Sequence, residues 1–388
     1  MPDLRFAHIA DCHLGAWGSH PELHELPLKA FAEAIDKIIK AEADFVLLAG
    51  DFFDSSMPAV DVLRFAVEQL MRLKQADIPV YAIAGSHDYS PTGKTMLSVL
   101  EAAGLVHNAH MKWLLDDDVR IFGIEGLRGG LDREYFDKPA SVTNSSRPSD
   151  ARYTIFMFHS AVDEISGMAG VSLEALPKGF DYYATGHVHA PRVHMLSGKP
   201  LVFPGPLFPA EFSELEQLGV GSFCIADVEG GKTSVSTIQI QLAPVRTIEI
   251  ACDGKSPQQI EAEFSSSISA RDVGGKIVLL KASGTIAGKP TDINWRAIGD
   301  KAKSSGAFAV KRSVHLSAAE TAITKPLDVS GGLEHIEKAI IERNAGSDSE
   351  LVLKLMDVLA VEKAEDEKNL AYEEKIKSGI RKVLGVDA

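Results

Sequence analysis

Residues 80–90 read VYAIAGSHDYS, in which a short apolar run passes through a glycine into a histidine and an aspartate. The run is typical of a buried strand, and Gly85 marks its end. Two similar runs precede it along the chain, LRFAHIA before Asp11 and FVLLAG before Asp51. Each run delivers polar side chains to the end of a strand, which is where ligand sites form in sheets with parallel strands.

The first 240 residues alternate strand and helix patterns. Two amphipathic segments, PLKAFAEAIDKIIKAEA and PAVDVLRFAVEQLMRLKQ, separate these three runs and predict helices. We expect Ser55 or Ser56 to cap the second helix, with Pro58 near its first turn. Later runs such as VRIFGIEG and YTIFMFH follow one another through loops. This order predicts an α/β fold with mixed β-sheets flanked by helices.

The pattern changes after residue 241. RTIEIA, KIVLLKASG and AFAVKRSVHL alternate with two helical segments and predict a small β-α-β-α-β domain over residues 242–330. Residues 331–388 carry helical patterns only, with a charge run and an apolar stripe formed by Ile376, Ile380, Val383 and Leu384. We therefore expect three domains, with residues 1–241 as the largest.

The composition limits where the protein acts. No apolar run reaches about 18 residues and no basic-plus-apolar leader opens the chain, so we expect neither a membrane segment nor secretion. The three scattered cysteines fit a reducing compartment, and we expect a cytoplasmic location. The net charge of −14 argues against nucleic-acid binding by bulk electrostatics, unless bound divalent cations reverse the sign locally.

Five predicted strand ends carry side chains that can bind metal. They are Asp11 with His13, Asp51 with Asp54, Ser86 with His87 and Asp88, His159 alone, and His187 with His189. Each alone is more often a surface or core feature, but their common position makes coincidence a poor explanation. In an extended strand, the D-x-H and H-x-H steps place both side chains on one side. Imidazole with carboxylate suits Mn²⁺, Fe²⁺ or Zn²⁺.

The order D-x-H, GD-x-x-D, G-x-H-D, a lone histidine and GH-x-H resembles the motif series of calcineurin-like metallophosphoesterases. FAHIADCHLG, GDFFDSSMP and LVFPGPLFPAEFSE resemble one branch, the SbcD-type nucleases of DNA double-strand-break repair. The close resemblance covers about residues 4–230. It implies a metallophosphoesterase domain, then a small α/β capping domain, then C-terminal helices that bind a partner.

The resemblance implies a centre of two divalent ions, expected to be Mn²⁺ with Fe²⁺ and Zn²⁺ as alternatives, bridged by Asp51. The further ligands it implies are Asp11, His13 and His189 for one ion, and His159, His187 and the residue at position 86 for the other. His87 would protonate the leaving oxygen. Asp54 would hydrogen-bond His87 and support its protonated form.

Ser86 departs from the family pattern, which has asparagine at this position. A hydroxyl has a shorter reach and is a poorer ligand than a carboxamide oxygen. Three alternatives stay open for Ser86: it binds the metal directly, binds it through water, or does not bind it.

Several other polar residues receive separate predictions. Asp88 is expected to stabilise the turn, and His8 and Cys12 to pack in the core. Arg128 and Arg192 are candidates for DNA phosphate contacts, with a solvated surface charge as an equal alternative for each.

The resemblance implies the nuclease subunit of a double-strand-break repair complex, acting as a Mn²⁺-dependent DNA exonuclease and endonuclease. The expected partners are DNA, an SbcC-type coiled-coil ATPase bound through the C-terminal helices, and a second copy of the chain. The helix with Leu63, Ala66, Val67 and Leu70 would serve the core or that dimer. Two alternatives remain: a stand-alone phosphodiesterase for nucleotides or small phosphoesters, and a weakly catalytic scaffold for the ATPase.

Overall fold

A computed structural model of the chain describes residues 2–90, 94–127, 136, 151–318, 341, 345, 349–361 and 369–384. The chain divides into two compact units, Met1–Ala318 and Ala319–Ala388. No helix among the described residues is long and apolar enough to cross a membrane.

The described strands are β1 (Leu4–Ile9), β2 (Phe45–Ala49), β3 (Val80–Ile83), β4 (His107–Asn108), β5 (Leu114–Asp116), β6 (Val119–Ile124), β7 (Tyr153–His159), β8 (Tyr182–Gly186), β9 (Arg192–Leu196), β10 (Lys199–Phe203), β11 (Gly221–Glu229), β12 (Lys232–Ile240), β13 (Val245–Ala251), β14 (Ile277–Ile286) and β15 (Ala309–Ala318). The described α-helices are α1 (Pro21–Lys40), α2 (Val60–Gln75), α3 (Met96–Ala102), α4 (Asp163–Ser166), α5 (Phe212–Gln217), α6 (Pro257–Ser267), α7 (Ala270–Val273), α8 (Trp295–Ser304), α9 (Ser349–Leu359) and α10 (Asn369–Leu384).

Two six-stranded mixed sheets form the centre of the larger unit. The first has the order β12-β11-β1-β2-β3-β4, in which β1 to β4 are parallel and β11 runs antiparallel to β1. The second has the order β5-β6-β7-β8-β10-β9, in which β6, β7, β8 and β10 are parallel. The predicted α/β class with mixed β-sheets is confirmed.

The two sheets share an aromatic core. Within the first sheet, the Phe6 and Phe45 rings stack with their centroids 5.1 Å apart. The Phe6 ring also makes an edge-to-face contact with Tyr182 from the second sheet, with a centroid distance of 4.9 Å. All three side chains are fully buried. This packing explains why the strands are apolar on both faces. The carboxyl ends of β1–β3 and β7–β8 lie at the same edge of the two sheets.

Helices α1 and α2 contribute Phe31, Ile35 and Leu70 to a second apolar cluster, with strand residues of the first sheet. In the α2 stripe, Ala66 and Leu70 are buried and Leu63 and Val67 are partly buried against the same core. The predicted start of α2 is wrong, since its N-cap is Ala59. The Ser55 hydroxyl instead accepts a local hydrogen bond from the Met57 main-chain nitrogen at 3.4 Å.

The three-stranded sheet β13-β14-β15 is entirely parallel, with α6 and α8 in its crossover connections. This confirms the β-α-β-α-β pattern. Ile277, Leu279 and Ala309 join the apolar cluster of the first sheet, whereas Val278 and Leu280 pack with residues of α6 and α8. The sheet, called the capping sheet below, is therefore covered on both faces.

In the smaller unit, α9 and α10 contact each other. Gly379 allows this approach, because a Cβ at that position would lie 2.6 Å from Cγ1 of Val358. Leu359 and Leu384 remain 59% and 49% exposed, so the helix pair leaves apolar surface uncovered. The division at 241 and 330 stays a prediction, and residue 330 lies outside the described residues.

Candidate metal centre

Five strand ends meet beside a cavity of about 350 Å³. Two come from β7 and β8, where His159 pairs with Gly186 in parallel register. Three come from β1, β2 and β3, where Ala49 pairs with Ile83 just before the predicted ligands. The predicted residues that line the cavity are His13, Asp51, Asp54, Ser86, His87, His187 and His189. Asp11 and His159 are buried beneath them.

Four of the predicted ligands have left-handed backbone conformations that non-glycine residues rarely adopt. Their φ angles are 52° at Asp11, 43° at His13, 49° at Asp51 and 79° at His187. Such strain persists where the surrounding structure enforces it, and it concentrates at functional sites. The period-two argument for D-x-H and H-x-H is therefore wrong, because both steps lie in strained loops beyond the strands.

The first cluster contains Asp11, His13 and His189, whose potential ligand atoms lie within 4.8 Å of one another. Nε2 of His189 is 3.6 Å from Oδ1 of Asp11 and 3.2 Å from Nε2 of His13. Both oxygens of Asp11 also accept the main-chain N–H of His187, at 2.9 and 3.2 Å. Asp11 thus fixes the loop that carries the two last histidines.

The second cluster contains Asp51, His159 and His187, again within 4.8 Å. Nε2 of His159 lies 3.1 Å from Oδ2 of Asp51. The Ser86 hydroxyl donates to the same oxygen at 3.4 Å, and the main-chain N–H of His87 donates to Oδ1 at 2.7 Å. Asp51 therefore lies at the centre of this cluster and holds the Ser86–His87 loop.

Three histidines present Nε2 in the same way, because Nδ1 is bound to an oxygen that can only accept. Nδ1 of His159 donates to the Ala49 carbonyl at 2.8 Å, and Nδ1 of His87 donates to the Asp54 carbonyl at 3.0 Å. Nδ1 of His189 donates to Oε1 of Glu214 at 2.5 Å. Metal-binding histidines are commonly oriented by such hydrogen bonds.

Glycines make the space for the His159 ring. A Cβ on Gly50 would lie 2.2 Å from its Nδ1, and a Cβ on Gly186 would lie 2.6 Å from the same atom. Both distances are impossible for real side chains. Gly50 also has a φ of +90°, which favours glycine independently. The glycines in the GD and GH motifs are thus required by the packing of this ring.

The carboxylates dominate the electrostatics of the two clusters. Burial acts to lower the pKa of His159, but Asp51 and then Asp11 outweigh it and raise this pKa to about 9. Burial likewise opposes the charge on His189, yet Asp11 and Glu214 raise its pKa to about 11. Burial opposes ionisation of Asp51, but the facing His159 lowers its pKa. The buried acids therefore require positive charge nearby.

The residues fit divalent ions. Among the described residues, Nε2 of His159 and Nδ1 of His13 are buried side-chain atoms without a well-formed hydrogen bond, although each faces a carboxylate, Asp51 at 3.1 Å and Asp54 at 3.4 Å. Buried nitrogens of this kind are costly unless another partner is supplied. The two clusters above, and a third set formed by His13, Asp54 and His87, combine imidazole and carboxylate ligands, which match the preferences of Mn²⁺, Fe²⁺ and Zn²⁺.

The predicted contact between Asp54 and His87 differs in one respect from the structure. The main-chain oxygen of Asp54, not its carboxylate, accepts the hydrogen bond from His87. The carboxylate turns toward His13 instead, with Oδ1 3.4 Å from Nδ1. Asp54 thus orients the proton-donor candidate through its backbone and faces a candidate ligand through its side chain.

The remaining predictions have mixed outcomes. Asp88 stabilises the turn as predicted, because its buried carboxylate accepts from the main-chain N–H groups of Phe52, Phe53 and Gly85. His8 and Cys12 are fully buried core residues, as expected. Arg192 is exposed and donates to the Ile165 carbonyl, while Arg128 lies outside the described residues, so DNA contacts stay predictions for both.

Glu214 is a functional candidate that the sequence pattern does not single out. It lies in α5, 25 positions after His189, and its second oxygen accepts the Ala210 N–H at 2.8 Å. In the sequence, Glu214 is only the last residue of the segment LVFPGPLFPAEFSE. The resemblance of this segment to a nuclease segment implies no role for that position. The contact becomes visible only through tertiary structure.

Comparison with known proteins identifies the class. Residues 4–191 match the model of the calcineurin-like phosphoesterase family, which indicates a domain of this family in that part of the chain. The predicted family resemblance is confirmed.

The chain is similar to two proteins named for DNA repair and to one solved phosphatase structure. The chain is 26% identical over 393 residues to the DNA double-strand break repair protein Mre11 of Archaeoglobus fulgidus, covering 94% of this chain and 82% of that protein. The Methanopyrus kandleri protein of the same name is 28% identical over 259 residues, 61% of this chain and 57% of the relative. The match thus spans little more than half of that second protein. A dimetal phosphatase structure from Danio rerio has a TM-score of 0.40, with 11% identity over 62% of this chain and 99% of that one.

Proposed function

We propose that this chain is the nuclease subunit of a DNA double-strand-break repair complex and hydrolyses phosphodiesters at a two-metal centre. The observation that carries the proposal is the convergence of two histidine–carboxylate clusters beside one cavity. The archaeal relatives named for double-strand-break repair support the choice of DNA as substrate. Mn²⁺ is the proposed metal, with Fe²⁺ and Zn²⁺ as alternatives.

Asp11, His13 and His189 would hold one ion, and His159 and His187 the other, with Asp51 between them. Ser86 is the remaining candidate ligand for the second ion. When bound, such a pair of ions polarises the phosphodiester and activates water for attack. The ions would also compensate the negative charge of the clustered carboxylates, in a chain with a net charge of −14.

His87 would complete the reaction as the proton donor. Its Nδ1–H is bound to the Asp54 carbonyl, so Nε2 is the atom that can carry a proton to the leaving oxygen. Its half-buried ring lines the cavity and lies perpendicular to the His13 ring, with the ring centroids 4.8 Å apart. General acid catalysis needs a donor held in this way beside the reacting group.

The decisive experiment measures cleavage of single- and double-stranded DNA with Mn²⁺, beside a nitrophenyl phosphodiester and a chelated control. A nuclease cleaves DNA and loses this activity with the chelator. Hydrolysis of the small ester without DNA cleavage would favour the stand-alone phosphodiesterase. Inactivity on DNA and on the small ester, with retained ATPase binding, would favour the weakly catalytic scaffold. The poorer ligand Ser86, in place of asparagine, would then explain the weak catalysis.

The proposed partner is an SbcC-type coiled-coil ATPase that binds the C-terminal helices. The apolar surface left exposed on α9 and α10 supports this assignment. Ile380→Glu in the full chain should abolish co-purification with the ATPase, whereas Lys375→Glu, an exposed control on the same helix, should not. Retained co-purification of Ile380→Glu would contradict the assignment. A homodimer and a cytoplasmic location are also proposed, on the resemblance alone.

A further inference from the structure

Helix α5 (Phe212–Gln217) connects the candidate metal centre with the capping sheet. On one side, the Glu214 carboxylate is held at both oxygens, by Nδ1 of His189 at 2.5 Å and by the Ala210 N–H at 2.8 Å. Glu214 lines the cavity. The helix therefore contributes the group that orients a candidate ligand.

Glu216 reaches the capping sheet from the same helix. Its Oε1 accepts from Nζ of Lys281 on β14 at 2.9 Å. Lys281 also lies 3.5 Å from Oε1 of Glu249 on β13, so one ammonium group ties α5 to two strands. The Lys281 and Glu216 side chains are each 28% exposed, which shields the pair partly from water.

The apolar side of α5 joins the same two regions. Leu215 is fully buried in a cluster that includes Ile277 and Leu279 of β14. Just before the helix, the Pro209 carbonyl accepts from Nε1 of Trp17 at 2.9 Å. A helix of six residues is not stable by itself, so these contacts determine where it lies.

We propose that α5 couples the capping sheet to the metal centre: Glu214 is a positioning residue for His189, and the Glu216–Lys281 pair holds the helix where Glu214 reaches that ring. This inference rests on the proposed metal centre, in which His189 is a ligand. The acceptor at Nδ1 fixes the tautomer and the ring plane of His189. A small displacement of α5 relative to the capping sheet therefore changes how Nε2 faces Asp11.

The test is Mn²⁺ titration calorimetry on the full chain and its variants. Glu214→Ala should raise the Kd of one site roughly 10- to 100-fold, as loss of a histidine-orienting group does elsewhere. Glu214→Gln keeps an acceptor and should retain part of the affinity. Lys281→Met should weaken the same site by about twofold to fivefold, because a partly exposed ion pair contributes modestly.

Matched controls separate coupling from general damage. Lys255→Met breaks a comparable pair with Glu263 inside the capping domain and should leave both Mn²⁺ affinities unchanged. The exchange of Lys281→Glu with Glu216→Lys should restore only part of the affinity lost in either single variant, because the new carboxylate at position 281 faces Glu249. Unchanged Mn²⁺ binding in Glu214→Ala overturns the positioning role, and unchanged binding in Lys281→Met overturns the coupling.

A second measurement does not depend on metal. In the metal-free protein, the Nδ1 proton of His189 should give a downfield, slowly exchanging NMR signal that is lost in Glu214→Ala and exchanges faster in Lys281→Met. An identical signal in Lys281→Met and the unmodified protein contradicts the coupling. If the unmodified protein binds no Mn²⁺, the proposed metal centre fails while this signal still tests α5.

Discussion

The two halves of the proposed metal centre orient one histidine each by different means. In one half the His159 side chain is fully buried, and its ring is fixed by the main-chain oxygen of Ala49 and by the space left at Gly50 and Gly186. In the other half the His189 side chain is 22% exposed, and a side-chain carboxylate on a short helix fixes its ring. The orientation of His159 therefore depends on the sheets, whereas that of His189 depends on where α5 lies.

The candidate ligands differ in the opposite sense. In the His159 half, Ser86 stands where the family pattern has asparagine, and its hydroxyl donates to Asp51. In the His189 half, the proposed ligands Asp11, His13 and His189 lie within 4.8 Å of one another. The half that contains the fully buried histidine thus has the poorer candidate ligand, and we expect the two ions to bind unequally.

The largest effect should follow from Asp51→Ala, because Asp51 is the proposed shared ligand of both halves. We expect loss of both Mn²⁺ sites and a fall in DNA cleavage of at least about 10³-fold. Calorimetry and a nuclease assay check this, with the exposed Asp61→Ala as the control. Retention of one tight site would show that the halves are independent.

His87→Ala should separate chemistry from metal binding. Loss of a general acid lowers the rate by about 10²- to 10⁴-fold, while both Mn²⁺ affinities should persist because His87 is not a proposed ligand. Rates and calorimetry on the same preparation test this. Metal release as complete as in Asp51→Ala would refute the proton-donor assignment.

Acid should weaken metal binding in both halves. The pKa values of His159 and His189 are raised to about 9 and about 11, so both rings hold protons at neutral pH without metal. A metal ligand must be neutral, so binding releases protons, and affinity falls as pH falls. Each proton released at a site changes its Kd by about tenfold per pH unit below the relevant pKa. Calorimetry in buffers of different ionisation enthalpy counts the protons, and a heat independent of the buffer would contradict the prediction.

The smallest effect should come from Ser86→Asn, which changes a candidate ligand of the His159 half alone. We expect its site to bind Mn²⁺ several-fold to about tenfold more tightly, since a carboxamide oxygen replaces a poorer donor. The Mn²⁺ concentration that gives half-maximal cleavage should fall accordingly. Equal, tight binding of two ions by the unmodified protein would remove the reason for this change.

The sequence predicts the ligand candidates because their types and order appear at strand ends, from Asp11 to His189. It does not reveal Glu214, whose contact with His189 depends on how α5 packs, or the direction of the Asp54 carboxylate, which is a rotamer set by tertiary structure. The left-handed backbone at Asp11 and His13 is likewise invisible, since D-x-H spacing resembles a regular strand. The sequence also leaves open which strands share a sheet, because a strand covered by a sheet is as apolar as one covered by helices.

Anomalous X-ray diffraction at the manganese edge, from crystals of the full chain soaked in Mn²⁺, would locate the ions of the proposed two-metal centre. We predict two peaks about 3.5–4 Å apart with Asp51 between them, one beside His189 and one beside His159. The peak beside His159 should have the lower occupancy at limiting Mn²⁺. A single peak, or peaks away from Asp51, would contradict the two-metal centre.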